Sequence, residues 1–184
     1  MEMSMALAIH DPTYEDMAIK FAEHFLWIAA AINREGEEGM WDEEDGFYYD
    51  LLRLPDGRVQ RLKVRSIVGL LPLCAATIIE KEERESIPHV LEKLYNRFSK
   101  QPKLLKYIHL TGPGHFGYNE RGIGALVNRE KLIRILSKML DENEFLSPYG
   151  IRSLSKHYLE NPYILFVGDQ EYKVNYLPAE SDTR

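Results

Sequence analysis

A long apolar stripe follows Asp11-Pro12 and predicts the first helix of the chain. Its apolar side chains recur every three or four residues, which is the spacing of one face of an α-helix. The stripe consists of Tyr14, Met17, Ala18, Phe21, Phe25, Ile28, Ala29 and Ile32. Asp11 can cap such a helix, and Pro12 suits its first turn. We therefore predict one long helix over Asp11 to Ile32.

A second apolar run, from Ile67 to Ile79, has no polar face. Ser66 can cap a helix at this point, and Pro72 should kink it because proline lacks an amide N–H. A helix that is apolar on all sides is expected to be buried on several of them. Cys74 lies in this run, so we expect it to be buried and inert. As the single cysteine, it allows no intrachain disulfide.

Shorter patterns predict three further helices and two β-hairpins. The helices begin near Ser86, Asn128 and Ser153. The hairpins pair Phe47 to Leu54 with Arg58 to Val64, and Tyr163 to Val167 with Glu171 to Tyr176. Each hairpin surrounds a turn signal, Pro55-Asp56-Gly57 in the first and Gly168-Asp169 in the second. The basic run Arg58, Arg61, Lys63 and Arg65 has strand spacing, and we interpret it as a solvated hairpin face.

Length, composition and charge limit the functions that the chain can have. A length of 184 residues fits one domain, and an apolar content of 45% is enough for a core. The net charge of −6 argues against a nucleic-acid groove, which needs a basic stripe. No secretory signal is visible, and the longest uncharged run is too short to cross a bilayer. We therefore expect a cytoplasmic protein with no membrane or nucleic-acid partner.

The segment Trp41 to Asp50 combines five carboxylates with four aromatic rings. Carbohydrate sites need this chemistry, because rings pack on the apolar faces of sugars and carboxylates accept hydrogen bonds from hydroxyls. The alternative is an acidic loop that leads into an aromatic strand. We refer to residues 41–50 as the aromatic–acidic segment.

Three stretches together resemble glycoside hydrolase family 63, in particular its glucosidase-like bacterial and archaeal members. They are the aromatic–acidic segment with its continuation to Ser66, the stretch from Asp141 to Ser155, and the stretch from Tyr176 to Ser181. The resemblance implies an (α/α)6 barrel that hydrolyses α-glycosidic bonds with inversion. A whole barrel of twelve helices needs a longer chain. The expected fold is therefore mainly α, a partial (α/α)6 toroid of helical hairpins with two β-hairpin insertions, in which residues 1–184 form a single-domain fragment.

With this resemblance, Trp41 is a candidate for stacking on a hexose, and Asp42 and Glu43 for binding its hydroxyls. Alternatively, Trp41 plugs the mouth of a helical bundle. Tyr149 and Arg152 lie in a second family-like loop and are also candidate substrate contacts, although Arg152 could equally hold a helix end or a buried carboxylate. Glu44 and Asp45 are interpreted as solvated, and Asp50 could pair with Arg65.

The resemblance places the catalytic acid upstream of this chain and the catalytic base downstream, so the catalytic residues are unknown and none is assigned here. The six scattered histidines form no zinc motif, and the acidic loop does not fit a calcium-binding EF-hand. Gly112, Gly114 and Gly117 do not match a nucleotide-binding pattern, and no serine-hydrolase elbow is present. We therefore expect neither a metal nor a cofactor.

The sequence thus predicts part of an inverting α-glucosidase that supplies substrate-site walls without the catalytic pair. Its ligands would be α-linked glucosides or small oligosaccharides, and the isolated chain is expected to be inactive. The alternative is a non-catalytic helical interaction or assembly module. In either case exposed flanks predict a homo-oligomer or contact with the missing remainder of the barrel.

Overall fold

A computed structural model of the chain describes residues 1–100, 109–110 and 117–178. The chain divides into two compact units, each built from two separate segments. Unit 1 comprises Met1–Glu35 and Leu73–Asn128, and unit 2 comprises Gly36–Pro72 and Arg129–Arg184. The assignment of 1–184 to a single domain stays a prediction. Two segments with residues named above lie outside the described residues. They are residues 111–116, which include Gly112 and Gly114, and residues 179–181, the end of the third family-like stretch.

The described residues of unit 1 form four helices and a three-stranded sheet. The helices are α1 (Glu2–His10), α2 (Glu15–Ile32), α3 (Lys81–Ser86) and α4 (Pro88–Phe98), with 3-10 turns at Pro12–Tyr14 and Tyr118–Glu120. The strands are β5 (Ala76–Ile79), β6 (His109–Leu110) and β7 (Gly122–Ala125). They are antiparallel in the order β5-β7-β6. The core of α1, α2 and α4 contains Met5, Ala8, Ala18, Ile19, Ile87 and Val90.

The helix predicted after Asp11-Pro12 is confirmed. The Asp11 carboxylate accepts a hydrogen bond of 2.9 Å from the amide of Thr13, and Pro12 opens the 3-10 turn that leads into α2. The cap satisfies one of the amides that a helix start leaves without a partner. α4, which starts at Pro88, and α5 (Arg129–Met139) of unit 2 also match their predicted positions.

The helix predicted over Ile67 to Ile79 is wrong. Residues Ile67–Cys74 form 3-10 turns, and β5 follows directly. Pro72 has no N–H to continue an α-helical ladder, and the β-branched residues Thr77, Ile78 and Ile79 suit an extended strand that pairs with β7. Cys74 is exposed, not buried as predicted.

Unit 2 is built largely from short antiparallel hairpins around α5. The strands are β1 (Trp41–Asp42), β2 (Phe47–Tyr48), β3 (Asp50–Arg53), β4 (Val59–Leu62), β8 (Leu146–Ser147), β9 (Gly150–Ile151), β10 (Tyr163–Val167) and β11 (Gln170–Val174). They pair as β1-β2, β3-β4, β8-β9 and β10-β11, and a 3-10 turn covers Lys156–Leu159. The two predicted hairpins are confirmed as β3-β4 and β10-β11, except that Phe47 and Tyr48 do not extend β3 as predicted but pair with β1. The last predicted helix, near Ser153, is this short 3-10 turn.

The expectation of a mainly α, partial (α/α)6 toroid is contradicted. The described residues form four two-stranded sheets and one three-stranded sheet beside the helices, and the helices are not arranged as a toroid of hairpins. The physical reason lies in unit 2, where the largest fully buried side chains include Phe47, Tyr48, Tyr49 and Phe145. These rings are carried by short strands and loops. Phe47 and Phe145 stack with a centroid distance of 5.7 Å and an interplanar angle of 19°.

Candidate functional site

The aromatic–acidic segment folds as the β1-β2 hairpin and places its side chains on two sides. A tight turn joins the strands, because the Gly46 amide donates to the Asp42 carbonyl and the Asp45 amide to the Asp42 carboxylate. Gly46 has φ +64°, in the left-handed region that favours glycine. A Cβ at this position would meet the guanidinium of Arg134, so a larger residue here would require the end of that side chain to move.

Trp41 is packed inside unit 2, with 8% of its surface exposed. Tyr48 meets its ring edge-on at 4.9 Å, and the ammonium of Lys131 lies 4.8 Å from the ring centroid. The guanidinium of Arg134 lies 5.6 Å from the same centroid. The indole N–H donates to Glu43 at 2.6 Å. Direct stacking of a sugar on this ring would therefore require displacement of Lys131 or Arg134.

Asp42 is buried in an ion-pair cluster. Its carboxylate lies 2.9 Å from Arg61 and 3.0 Å from Lys63, and it accepts the Asp45 amide as well. Burial alone would raise the pKa of Asp42, but the hydrogen bonds from the Asp45 amide, Lys63 and Arg61 outweigh it and hold the pKa below its usual value. Asp42 is therefore ionised at neutral pH and holds the β1-β2 hairpin to β4 and the residues after it.

Asp45 and Arg65 continue this cluster. The Asp45 carboxylate lies 3.1 Å from Lys63 and 3.5 Å from Arg65. Burial raises the pKa of Asp45, but hydrogen bonds from Lys63 and Tyr49 lower it further than burial raises it. Arg65 also pairs with Glu144 at 2.5 Å. The interpretation as solvated is wrong for Asp45, Arg61 and Arg65, whereas Lys63 is ion-paired but still 43% exposed at its side chain. Asp50 is exposed and is not the partner of Arg65.

Arg65 orients two tyrosine hydroxyls. Its Nε donates to the Tyr49 hydroxyl at 3.2 Å, and that hydroxyl donates to Asp45 at 3.1 Å. The Arg65 amide donates to the Tyr158 hydroxyl at 2.8 Å, and that hydroxyl donates to the Lys63 carbonyl at 2.7 Å. Burial raises the pKa of both phenols, so they stay protonated at neutral pH. Both rings are thus held in single orientations.

These side chains border an open concavity of about 310 Å³. One wall contains Asp45, Tyr49, Lys63 and Arg65. The other wall is a short stretch of chain that follows Lys156 and contains His157, Tyr158, Asn161, Pro162 and Tyr163. Its size falls at the lower end of small-molecule sites, and its lining combines aromatic rings with hydrogen-bonding groups. We call it the tyrosine pocket.

The five substrate-binding residues predicted from the sequence do not line the tyrosine pocket. Trp41, Asp42 and Glu43 lie together behind its charged wall, and the exposed carboxylate of Glu43 pairs with Arg134 at 2.7 Å. Tyr149 is fully exposed at the tip of the β8-β9 hairpin. Arg152 donates to the hydroxyl of Tyr176 and to backbone carbonyls, including that of Leu146. The substrate-binding role of all five residues stays a prediction.

None of the residues that line the tyrosine pocket was a predicted ligand contact, and those of the second wall carry no signal in the sequence. His157, Asn161 and Tyr163 are polar side chains in a turn and at a strand start, and no motif distinguishes them. A turn signal at Asn161-Pro162 marks only a change of chain direction. Within the part of the chain that the structure describes, no group of three His, Cys, Asp or Glu side chains is placed to hold a metal ion, and no helix is both long and apolar enough to cross a bilayer.

Comparison with known proteins identifies one similar yeast sequence. The chain is 38% identical over 196 aligned positions to a Saccharomyces cerevisiae (strain ATCC 204508 / S288c) protein described as "Uncharacterized protein YMR196W". The alignment takes in 100% of this chain and 18% of the yeast protein. No family model and no solved structure matches the chain. The chain thus spans less than a fifth of the length of a related protein.

Proposed function

We propose that the chain is part of a glycoside hydrolase resembling the inverting α-glucosidases of family 63. In this proposal it supplies a substrate-contacting wall, and the catalytic acid and base lie elsewhere. The ligands would be α-linked glucosides or small oligosaccharides, and the protein would act in the cytoplasm. The observation that carries the proposal is the tyrosine pocket, which the aromatic–acidic segment builds together with the residues that follow Lys156.

The chemistry of the pocket suits a sugar. The half-buried Tyr163 ring supplies apolar surface for the C–H groups of a pyranose, and the amide and carboxylate groups around it can bind the sugar hydroxyls. The ion-paired wall is held before any ligand arrives, which lowers the entropic cost of binding. The similarity to a segment of a longer yeast protein agrees with a chain that contributes one part of a larger site.

The electrostatics of Asp42 and Asp45 do not suit a catalytic acid. An inverting glycosidase needs one carboxylic acid whose pKa is raised, so that it stays protonated until it meets the leaving group. The pKa values of Asp42 and Asp45 are instead lowered, because each carboxylate is bound by cations and hydrogen-bond donors. Both carboxylates are better suited to structural ion pairing than to proton transfer.

A binding titration and a turnover assay test this proposal on the full 184-residue chain. We expect NMR signals of the pocket residues to shift with methyl α-D-glucoside, trehalose or maltose at millimolar concentrations. We expect no hydrolysis of 4-nitrophenyl α-D-glucoside. Turnover that disappears in Asp45→Asn would place the catalytic pair in this chain. Absence of binding by all three sugars would overturn the role as a substrate wall.

The apolar surface of α2 favours a second candidate function, that of an assembly module. Met17, Phe21 and Ile28 fall on one side of α2 at helical spacing, and each is 46–56% exposed. Large apolar side chains grouped in this way often mark an interface. Light scattering coupled to size exclusion tests self-association, which we expect Phe21→Glu to abolish. A wild-type chain that stays monomeric while binding glucosides would leave only the first proposal.

A further inference from the structure

The two walls of the tyrosine pocket differ in charge. On the first wall, Lys63 contacts Asp42 and Asp45, and Arg65 contacts Asp45 and Glu144. Each of these two cations therefore has two carboxylates as partners. A bound anion would lie beside those carboxylates, and a bound cation would lie beside Lys63 and Arg65. Ion pairing within the wall thus disfavours a charged ligand of either sign.

The second wall presents an imidazole, an amide and a phenol. Among the described residues, the side chains of His157, Asn161 and Tyr163 make no hydrogen bond, whereas the Tyr158 hydroxyl is held by the Arg65 amide and the Lys63 carbonyl. The His157 ring meets the Tyr158 ring edge-on at 5.3 Å. An imidazole, an amide and a phenol together offer both donors and acceptors, which is what a ligand with several hydroxyl groups needs.

We propose that the tyrosine pocket selects an uncharged, polyhydroxylated ring, and that His157, Asn161 and Tyr163 determine this specificity by binding its hydroxyls. The ion-paired wall excludes charged analogues. This inference rests on the proposed function, because it names the groups and the charge selection of the same pocket. It assigns ligand recognition to residues 157–163 and not to Trp41, Asp42 and Glu43.

Single substitutions on the second wall provide the test. Tyr163→Phe removes one hydroxyl, and Asn161→Ala removes the amide from an exposed position. Loss of one hydrogen bond should weaken the binding of methyl α-D-glucoside about 3- to 10-fold. Tyr172→Phe is the matched control, because Tyr172 is exposed on β11, outside the pocket, and donates to Gln170. The control should bind like the wild type.

A charge series completes the experiment. Methyl α-D-glucuronide carries a carboxylate on the same ring, and we expect it to bind the full chain at least about 3-fold more weakly than the neutral glucoside. Circular dichroism verifies that each variant is folded.

Glucoside binding that is unchanged in both Asn161→Ala and Tyr163→Phe, or equal binding of the glucuronide, would overturn the inference while leaving the proposed function standing. Absence of binding by every sugar would remove the proposed substrate-wall role as well. If substitution of Trp41 or Glu43 weakens glucoside binding and substitution of Asn161 or Tyr163 does not, the ligand is recognised by the residues predicted from the sequence.

Discussion

The ion pair between Arg65 and Glu144 is one of the less exposed ion pairs of unit 2. Arg65 is 17% and Glu144 13% exposed at the side chain, so the pair is largely withdrawn from water. The other oxygen of Glu144 accepts a hydrogen bond from the Ser155 hydroxyl. Glu144→Gln keeps the shape of the side chain and removes its charge. Arg65 would then retain Asp45, at 3.5 Å, as its remaining carboxylate partner.

The magnitude of the change follows from two limits. Breaking a fully buried pair costs roughly 3–5 kcal/mol, whereas an exposed pair contributes about 0–1 kcal/mol. Because this pair is partly solvated and glutamine can still accept hydrogen bonds, we expect Glu144→Gln to lower the free energy of unfolding by about 2 kcal/mol. With an m-value of roughly 2 kcal/mol/M in urea, the midpoint should fall by about 1 M.

Urea titration followed by tryptophan fluorescence measures this shift. Trp27 lies in unit 1 and is 57% exposed, so a Trp27→Phe background leaves Trp41 as the reporter of unit 2. Glu142→Gln is the control, because Glu142 is exposed in the same loop and loses the same charge. The control should change stability by less than about 0.5 kcal/mol. Equal losses in the two variants would refute the assignment of a specific Arg65–Glu144 contact.

Three further outcomes follow from the packing and charge of unit 2. Phe145→Ala should lower the free energy of unfolding by about 3–5 kcal/mol, because the ring is fully buried against Phe47; a loss below about 1 kcal/mol in the same urea assay would contradict this. Gly46→Ala should lower the free energy of unfolding more than Gly57→Ala does. Both glycines have positive φ, but only at Gly46 does a Cβ meet Arg134. Equal urea midpoints of the two variants would argue against that clash. The pKa of Asp42 is lowered by folding, so its contribution to stability is present above its unfolded pKa of about 3.9 and is lost as the pH falls through the folded value. The stability difference between wild type and Asp42→Asn should therefore shrink between pH 7 and pH 2, and a difference independent of pH would disprove the linkage.

Local signals predicted the elements of this fold well where the relevant residues are adjacent in the chain. Asp11 and Pro12 predict the start of α2 because a helix cap acts within one turn. Gly168-Asp169 predicts the β10-β11 hairpin because the turn sets the pairing of the two strands. The run from Ile67 to Ile79 could not be assigned in this way. A continuous apolar run suits a buried strand as well as a buried helix, and the pairing partner of β5 is the glycine-rich β7.

The sequence pointed to the region of the first wall but to none of the residues that line the pocket. The aromatic–acidic segment is visible in the sequence because its side chains are consecutive. The ion pairs of this segment are not visible in the sequence. Lys63 and Arg65 have the spacing of a solvated strand, and Glu144 lies 79 residues beyond Arg65. The second wall gave no signal, because His157, Asn161 and Tyr163 become a site only when the chain folds against Tyr49 and Arg65.

The interleaving of the two units has a consequence for synthesis on the ribosome. Residues 36–72 emerge before 73–128, yet they are completed by residues that follow Arg129. At roughly 5–20 residues per second, the 79 positions between Arg65 and Glu144 take about 4–16 s to translate. During that interval Phe47, Tyr48 and Tyr49 have no Phe145 to pack against. The nascent aromatic–acidic segment therefore waits with exposed rings, while its closely spaced carboxylates repel one another and disfavour premature collapse.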